Sequence, residues 1–160
     1  MSIAENIARV RAELAEAARE AGRRPEEIIL VGASKMNGAA ACREAIAAGI
    51  DALGENRVQE MVKKLAENAY DGAPLHFIGH LQRNKVKQVV GHVSLIQSVG
   101  SLELLDEIEK AAARQNLFQD VLLEVNIGGE EAKSGFAPAA VFAAAESALS
   151  RDHVRVRGLM

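Results

Sequence analysis

Short apolar runs alternate with longer amphipathic stretches, and this alternation limits how the chain can fold more than any other feature. A helix predicted at about residues 2–22 comes first, and six apolar runs follow it with helical spacing between them. The predicted strands are 27–35, 51–56, 75–80, 94–99, 120–128 and 153–160. The predicted helices between them are 39–49, 57–69, 82–90, 101–115 and 138–150. Strand and helix in strict turn imply an α/β fold with right-handed crossovers. An open doubly wound sheet and a (β/α) barrel both fit.

Length and composition narrow the class of protein. The 160 residues are 49% hydrophobic, which suffices for one core, and no linker divides them, so a single domain over 1–160 is expected. No run of about 18 apolar residues and no signal-peptide core is present, so we expect a cytoplasmic protein without membrane contact. A net charge of −3 with 3% aromatic residues argues against nucleic acid as a partner.

Ligand-binding residues are expected at the carboxyl ends of the predicted strands, where ligands gather in both architectures. A polar set stands there, and it contains a single amine. Its members are Ser34, Lys35, Glu55, Asn56, Gly79, His80, Ser98 and Asn126.

Several familiar sites can be excluded. His76 and His80 have the spacing of a helical zinc pair, but on a strand they are roughly 13 Å apart at about 3.3 Å per residue. The single cysteine, Cys42, cannot form a disulfide or a cysteine zinc cluster within one chain. Neither a dinucleotide-binding glycine fingerprint nor a serine nucleophile elbow occurs. Of the carboxylates, only Glu55 is expected at a strand end, so a glycosidase pair finds no support.

The remaining candidate is Lys35, which follows the apolar run "ILVGAS". A neutral lysine amine condenses with an aldehyde to form an imine, and burial favours the neutral amine. The strand end predicts a rigid and partly buried position for Lys35. Taken alone, a lysine at a strand end is more often a solvated charge.

Six motifs carry a wider resemblance: "VGASKMN", "GENRVQE", "HFIGHLQRNKVK", "LIQSVGS", "VNIGGEEAKSGF" and "VRGLM". In order and spacing they resemble the pyridoxal phosphate homeostasis protein family. The resemblance covers nearly the whole chain. It implies a (β/α)8 TIM-barrel fold like the N-terminal domain of alanine racemase, here with about six strands, the last two βα units being absent from this sequence.

The resemblance also implies a function. Family members bind pyridoxal 5′-phosphate (PLP) as a Schiff base on the lysine of the "SK" motif, here Lys35, and help to control the free PLP pool without established catalysis. Asn56 of "GEN" and His80 of "FIGH" correspond to residues close to the cofactor ring. Ser98 and Asn126 could line the same pocket or merely cap the segments that follow. The implied partners are PLP and PLP-dependent apoenzymes, and the chain is expected to be a monomer or a weak homo-oligomer.

Two departures from the family pattern affect these expectations. Met36, Asn37 and Gly38 follow Lys35, where relatives often have a second lysine or a proline. The serine-rich loop and the "RIG"-like segment that cradle the phosphate in the family lie beyond "VRGLM". Six strands would leave an open seam with exposed edges at strands one and six, which a further segment or another copy would have to cover. Without that cradle we expect weaker PLP binding.

Two alternatives stay open. A PLP-dependent amino-acid racemase would need an acid or base on the opposite face of the cofactor, usually a tyrosine from a second domain. The only tyrosine is Tyr70. A truncated scaffold that no longer binds PLP is the other alternative.

Overall fold

A computed structural model describes residues 2–130 and 133–160 of the chain. Strands and helices alternate as predicted within these residues. The strands are β1 (Val31–Ala33), β2 (Ala52–Glu55), β3 (Leu75–Phe77), β4 (Leu95–Val99), β5 (Gln119–Leu123) and β6 (Val154–Leu159). The α-helices are α1 (Ile3–Glu20), α2 (Ala39–Ala47), α3 (Val58–Ala66), α4 (Leu102–Arg114) and α5 (Val141–Ala148). The strands follow the chain order in one six-stranded sheet, and the recorded strand pairs are parallel. The predicted parallel α/β alternation is therefore confirmed.

The described chain divides into two compact units. The first contains the residues up to Gly54 together with Gln59–Pro74, and the second contains Glu55–Val58 together with Leu75–Met160. The assignment of 1–160 to a single domain stays a prediction.

Helix α1 in the first unit has a well-defined start and end. The Ser2 hydroxyl accepts a hydrogen bond from the Glu5 N–H, and the Glu5 carboxylate accepts one from the Ser2 N–H at 2.7 Å. This reciprocal capping satisfies two amides that have no partner within the helix. The helix ends because Gly22 adopts a left-handed conformation with φ of 68°, and the Arg23 N–H then bonds to the Ala18 carbonyl oxygen at 2.8 Å.

Asp51 connects three parts of the first unit. Its carboxylate accepts a hydrogen bond from Arg11 of α1 at 2.8 Å and another from the Leu30 N–H, just before β1, at 2.7 Å. The hydrogen bond from Arg11 lowers the pKa of the Asp51 carboxyl; burial opposes this effect and the Leu30 N–H reinforces it. Asp51 thereby fixes the residues leading into β1, which pairs with β2.

The core of the second unit lies between its strands and α4. Phe77, Ile96, Val121, Leu105 and Ile108 are fully buried. Burial of a side chain of this size stabilises the fold by about 1.5–3 kcal/mol. Helix α4 begins at the Ser101 cap, whose hydroxyl accepts a hydrogen bond from the Leu104 N–H at 3.2 Å. This packing gives β3, β4 and β5 a rigid base.

Several predicted elements differ from the observed ones. Strand one begins at Val31 rather than at residue 27, because Pro25–Glu27 forms a 3₁₀ turn and the Leu30 N–H is bonded to the Asp51 side chain. Strand three ends at Phe77, before the predicted end at residue 80.

Segment 82–90 contains a 3₁₀ helix at Arg83–Gln88 rather than the expected α-helix. Val86 is buried within this helix, and Val89 and Val90 are buried directly after it. The β-branched side chains of these valines disfavour the α-helix.

Within residues 2–130 and 133–160, no helix is both long and apolar enough to cross a membrane.

Candidate functional site

Lys35 lies in a tight turn directly after β1. The Ser34 N–H donates a hydrogen bond to the Gly54 carbonyl oxygen at 2.9 Å, which extends the pairing with β2 by one residue. The Asn37 N–H then donates to the Ser34 carbonyl oxygen at 3.1 Å, so residues 34–37 close a β-turn. Met36, third in this turn, has a left-handed φ of 62°. Ser34 is buried, whereas Lys35 is exposed.

The exposure of Lys35 corrects the expectation that it is partly buried. The expectation assumed that strand one continues through Lys35. The strand stops at Ala33, and the turn directs the chain away from the packed strand before Lys35 is reached. Its position at the carboxyl end of the strand is as predicted.

Two side chains of α3 hold the turn. The Glu60 carboxylate accepts a hydrogen bond from the Met36 N–H at 3.0 Å, and the Lys64 ammonium donates one to the Ser34 carbonyl oxygen at 2.7 Å. Lys64 Nζ also lies 4.0 Å from a Glu60 carboxylate oxygen. The side chain of Lys64 is only 7% exposed, which is unusual for a lysine. Sequence reasoning missed both residues, because their bonds to the turn span 24 and 30 positions.

The other two predicted site residues, Asn56 and His80, belong to the second unit. Asn56 follows β2, and its backbone packs against Gly79, the residue before His80. A Cβ atom at position 79 would lie 2.2 Å from the Asn56 carbonyl oxygen, so only glycine fits there. The structure therefore brings Asn56 next to the residue preceding His80, while Lys35 belongs to the first unit.

Asn56 also has an unsatisfied polar atom. Its Oδ1 atom is buried and has no hydrogen-bond partner among the described residues. A buried acceptor without a donor costs about 1–3 kcal/mol. Such an atom is a candidate for contact with a ligand.

His80 lines an open cleft of about 660 Å³ in the second unit. This volume falls within the range of small-molecule sites. The polar residues on its walls include Glu124, Asn126, Lys133 and Ser134. The Asn126 amide donates to the Glu130 carbonyl oxygen at 2.8 Å and so fixes part of the loop. Asn126 thus lines this cleft and also holds the loop after β5, while its place in the cofactor pocket stays a prediction.

Ser98 belongs to a neighbouring cavity of about 470 Å³, which also has His80 and Ser134 in its lining. The Ser98 hydroxyl donates a hydrogen bond to the Gly79 carbonyl oxygen. Ser98 therefore helps to fix the backbone next to His80.

Glu124 was missed from the sequence as a strand-end residue. Strand β5 ends at Leu123 rather than at residue 128, so Glu124 stands at its carboxyl end and the expectation of a single strand-end carboxylate is wrong. Ser134 donates to one Glu124 oxygen at 3.0 Å. The other oxygen is buried and has no hydrogen-bond partner in the described part of the chain. The signal available was a lone carboxylate inside the apolar run "VLLEV".

Tyr70 and His76, two other residues singled out above, are both buried. Tyr70 is 6% exposed, after the end of α3. The His76 ring lies 2.9 Å from the Gln97 amide nitrogen, and burial lowers the pKa of its imidazole. No cluster of three or more His, Cys, Asp or Glu side chains suited to a metal ion occurs in residues 2–130 and 133–160.

Known proteins resemble the chain over its whole length. Residues 3–160 match the family model of the alanine racemase N-terminal domain. The pyridoxal phosphate homeostasis protein of Aquifex aeolicus is 42% identical over 160 residues, which cover 100% of this chain and 70% of that protein. The protein of the same name from Escherichia coli K12 is 37% identical over 161 residues, covering 99% and 69%. The chain belongs to the pyridoxal phosphate homeostasis protein family.

Solved structures agree with this family membership. PipY of Synechococcus elongatus, crystallised without PLP and with PLP bound, is 34% identical and matches with TM-scores of 0.87 and 0.84. Each match covers 99% of this chain and about 70% of PipY. An alanine racemase from Clostridium difficile matches 84% of this chain and 35% of its own length, with a TM-score of 0.70. At 17% identity, that likeness shows the fold alone. The predicted family and fold class, an α/β fold of the alanine racemase N-terminal type, are confirmed.

Proposed function

We propose that this chain binds pyridoxal 5′-phosphate through Lys35 and takes part in the homeostasis of that cofactor inside the cell. The observation that carries the proposal is PLP bound to PipY, a relative with 34% identity and a TM-score of 0.84 over 99% of this chain. The names of the curated relatives support the homeostatic role. Within the chain, the exposed amine of Lys35 supports covalent binding.

The covalent step requires only groups that the chain and the ligand supply. Lys35 would hold PLP through its neutral Nζ, and PLP would supply the aldehyde carbon to which the amine adds, with the carbonyl oxygen leaving as water. A second amine could take over this carbon and so return the Lys35 amine. Lys35 is accessible to such an exchange because it lies in an exposed turn.

The second unit has features that fit an aromatic ligand with polar substituents. The side-chain oxygen of Asn56 is buried and has no hydrogen-bond donor within the residues that the structure describes. Gly79 has no side chain, so its backbone lies directly against that of Asn56. His80 adds a ring that can stack on or hydrogen-bond to the ligand. We therefore propose Asn56 and His80 as cofactor-contacting residues in addition to Lys35.

A carrier role is proposed in preference to catalysis. A racemase needs a second acid or base at the cofactor, and Tyr70, the only tyrosine, has a side chain buried after α3. PLP-dependent apoenzymes are the proposed recipients, and the cytoplasm is the proposed location. A monomer or weak homo-oligomer is the proposed state.

The experiment is a titration with PLP, followed by borohydride reduction and mapping of the modified peptide. We expect a new absorbance band near that of protein-bound PLP and one labelled site at Lys35. The Lys35→Ala variant should lose both signals, while Lys63→Ala, which removes an exposed lysine of α3, should keep them. Label that is absent, or that is spread equally over Lys85 and Lys133, would rule out the proposal.

Amino-acid racemisation by the loaded protein separates the carrier from the enzyme. We expect no turnover above that of free PLP. Turnover that disappears in Lys35→Ala would favour the racemase instead.

A further inference from the structure

Glu60 and Lys64 occupy one face of α3, four residues apart. Residues with this spacing are neighbours on a helix surface, and glutamate on the N-terminal side of lysine is the favourable order. Such pairs usually lie in solvent and contribute little. This pair is different because the Lys64 side chain is 7% exposed and that of Glu60 is 28% exposed.

The contacts of this pair are directed at the two peptide groups of Lys35. The Ser34 carbonyl, bonded to the Lys64 ammonium at 2.7 Å, belongs to the peptide group on the N-terminal side of Lys35. The Met36 N–H, bonded to the Glu60 carboxylate at 3.0 Å, belongs to the peptide group on its C-terminal side. The φ and ψ angles of Lys35 describe the rotation of these two groups about its Cα atom. Holding both groups therefore fixes the direction in which the Lys35 side chain leaves the backbone.

The turn requires such anchoring. Met36 has a φ of 62°, a conformation that costs a residue with a side chain roughly 1–2 kcal/mol. The Ser34 carbonyl oxygen accepts both from Asn37 within the turn and from Lys64 outside it, so its two acceptor positions are filled. Charged partners make hydrogen bonds of roughly twice the strength of neutral ones.

Burying a lysine such as Lys64 costs free energy unless a specific interaction compensates for it. A lysine ammonium removed from water needs a hydrogen-bond partner, and removing one member of such a buried charged interaction is destabilising. At this position the ammonium serves the backbone next to Lys35. An apolar side chain could fill the same space, but it could not hold the Ser34 carbonyl.

We propose that Glu60 and Lys64 are positioning residues for Lys35: by holding both of its peptide groups, they fix the direction in which its side chain leaves the backbone. The inference rests on the proposed function, in which Lys35 binds the aldehyde of PLP. Preorganised attachment of this kind speeds a reaction because the reacting group spends more time in the productive direction.

The first test needs no cofactor and measures the backbone order of Lys35 by ¹⁵N relaxation. In the unaltered chain we expect an order parameter of about 0.85, typical of rigid backbone. In Lys64→Met and in Glu60→Met it should fall towards about 0.6, typical of flexible backbone. The conservative variants Lys64→Arg and Glu60→Gln retain a donor and an acceptor, respectively, and should restore most of the order. Lys63→Met, a neighbouring exposed lysine of α3, is the matched control.

The second test measures the rate at which PLP becomes attached to Lys35, at a temperature where every variant is folded. We expect Lys64→Met and Glu60→Met to be at least fivefold slower, with recovery in Lys64→Arg and Glu60→Gln and no change in Lys63→Met. Lower thermal stability with unchanged Lys35 order and unchanged attachment rate would mean that the pair only stabilises the fold, and would overturn the inference.

The outcomes also separate this inference from the proposed function. If the unaltered chain attaches PLP to Lys35 and Lys64→Met does so equally fast, only the inference fails. If the unaltered chain attaches no PLP to Lys35, the proposed function fails, and the positioning role fails with it.

Discussion

The Lys35 turn and the His80 cleft are both built at the ends of strands, but their backbones are held in different ways. In the turn, charged side chains of α3 bond to the peptide groups on both sides of Lys35. Next to His80, Gly79 has no side chain, and its backbone packs directly against that of Asn56. The first arrangement depends on hydrogen-bonding groups and tolerates changes in side-chain size, whereas the second depends on the absence of a side chain. Substitutions should therefore affect the two regions by different physical effects.

The largest expected effect is that of Gly79→Ala, at the residue before His80. The added Cβ would lie 2.2 Å from the Asn56 carbonyl oxygen, so the backbone must move. We expect a loss of about 3 kcal/mol in the free energy of unfolding, at the upper end of overpacking effects. Gly38→Ala is the control, since no atom lies within 4 Å of its added Cβ. Urea denaturation measures the free energy of unfolding of both variants. Equal values for the two would contradict the steric explanation.

The next effect distinguishes the two lysines of the first unit. Lys64→Met removes a buried charged hydrogen bond and should reduce the free energy of unfolding by about 2 kcal/mol. Lys35→Met alters an exposed side chain and should change it by less than about 0.5 kcal/mol. Chemical denaturation without PLP checks the difference. A larger loss for Lys35→Met would show that its side chain supports the fold.

Met36 provides a smaller, conformational test of the turn. Met36→Val places a β-branched side chain at a φ of 62° and should destabilise the chain by about 1 kcal/mol. Met36→Gly removes the strain but increases the conformational entropy of the unfolded chain. The net gain in the free energy of unfolding should therefore be about 0.5 kcal/mol. Thermal unfolding of the two variants should therefore give shifts of opposite sign. Shifts of the same sign would mean that the Met36 side chain, rather than its backbone, decides the stability of the turn.

The smallest expected effect is the pH dependence of stability, which arises from a different residue in each unit. Burial lowers the pKa of His76 in the second unit below its usual 6.5. The unfolded chain therefore binds a proton first, and stability should decline as the pH falls below about 6.5 until the folded pKa is reached. The pKa of Asp51 in the first unit is lowered from its usual 3.8. The contribution of Asp51 to the free energy of unfolding should be lost only below about pH 3.8.

The measurement is the free energy of unfolding between pH 7 and 5, compared with His76→Gln. We expect the variant to have a shallower decline over this range. An NMR titration of His76 should give a midpoint below 6.5, and a midpoint above it would contradict the assigned effect of burial.

Much of the fold could be predicted from sequence because it depends on local pattern. The apolar periodicity located every helix and strand to within a few residues, apart from segment 82–90. There the chain forms a 3₁₀ helix at Arg83–Gln88, and the β-branched valines in and directly after it, Val86, Val89 and Val90, disfavour the α-helix. Strand ends were less predictable, because they depend on which partner each amide finds. Leu30 bonds to a side chain, and β5 ends before Glu124.

The candidate site was only partly predictable for the same reason. Lys35, Asn56 and His80 could be proposed from motifs, and their roles stay predictions. Lys64 and Glu60 are unremarkable residues of an amphipathic helix when read locally. Their significance depends on hydrogen bonds to Ser34 and Met36, far away in the sequence.

By itself, the sequence determined the alternation of strands and helices, the family, and the position of Lys35 at the end of the first strand. These follow from periodicity and motif spacing, which are properties of neighbouring residues. Only the tertiary structure decided that Lys35 is exposed, that Lys64 is buried beneath its turn, and that Gly79 must lack a side chain. The physical reason is that burial, hydrogen bonding and steric fit depend on residues that meet only after the chain has folded.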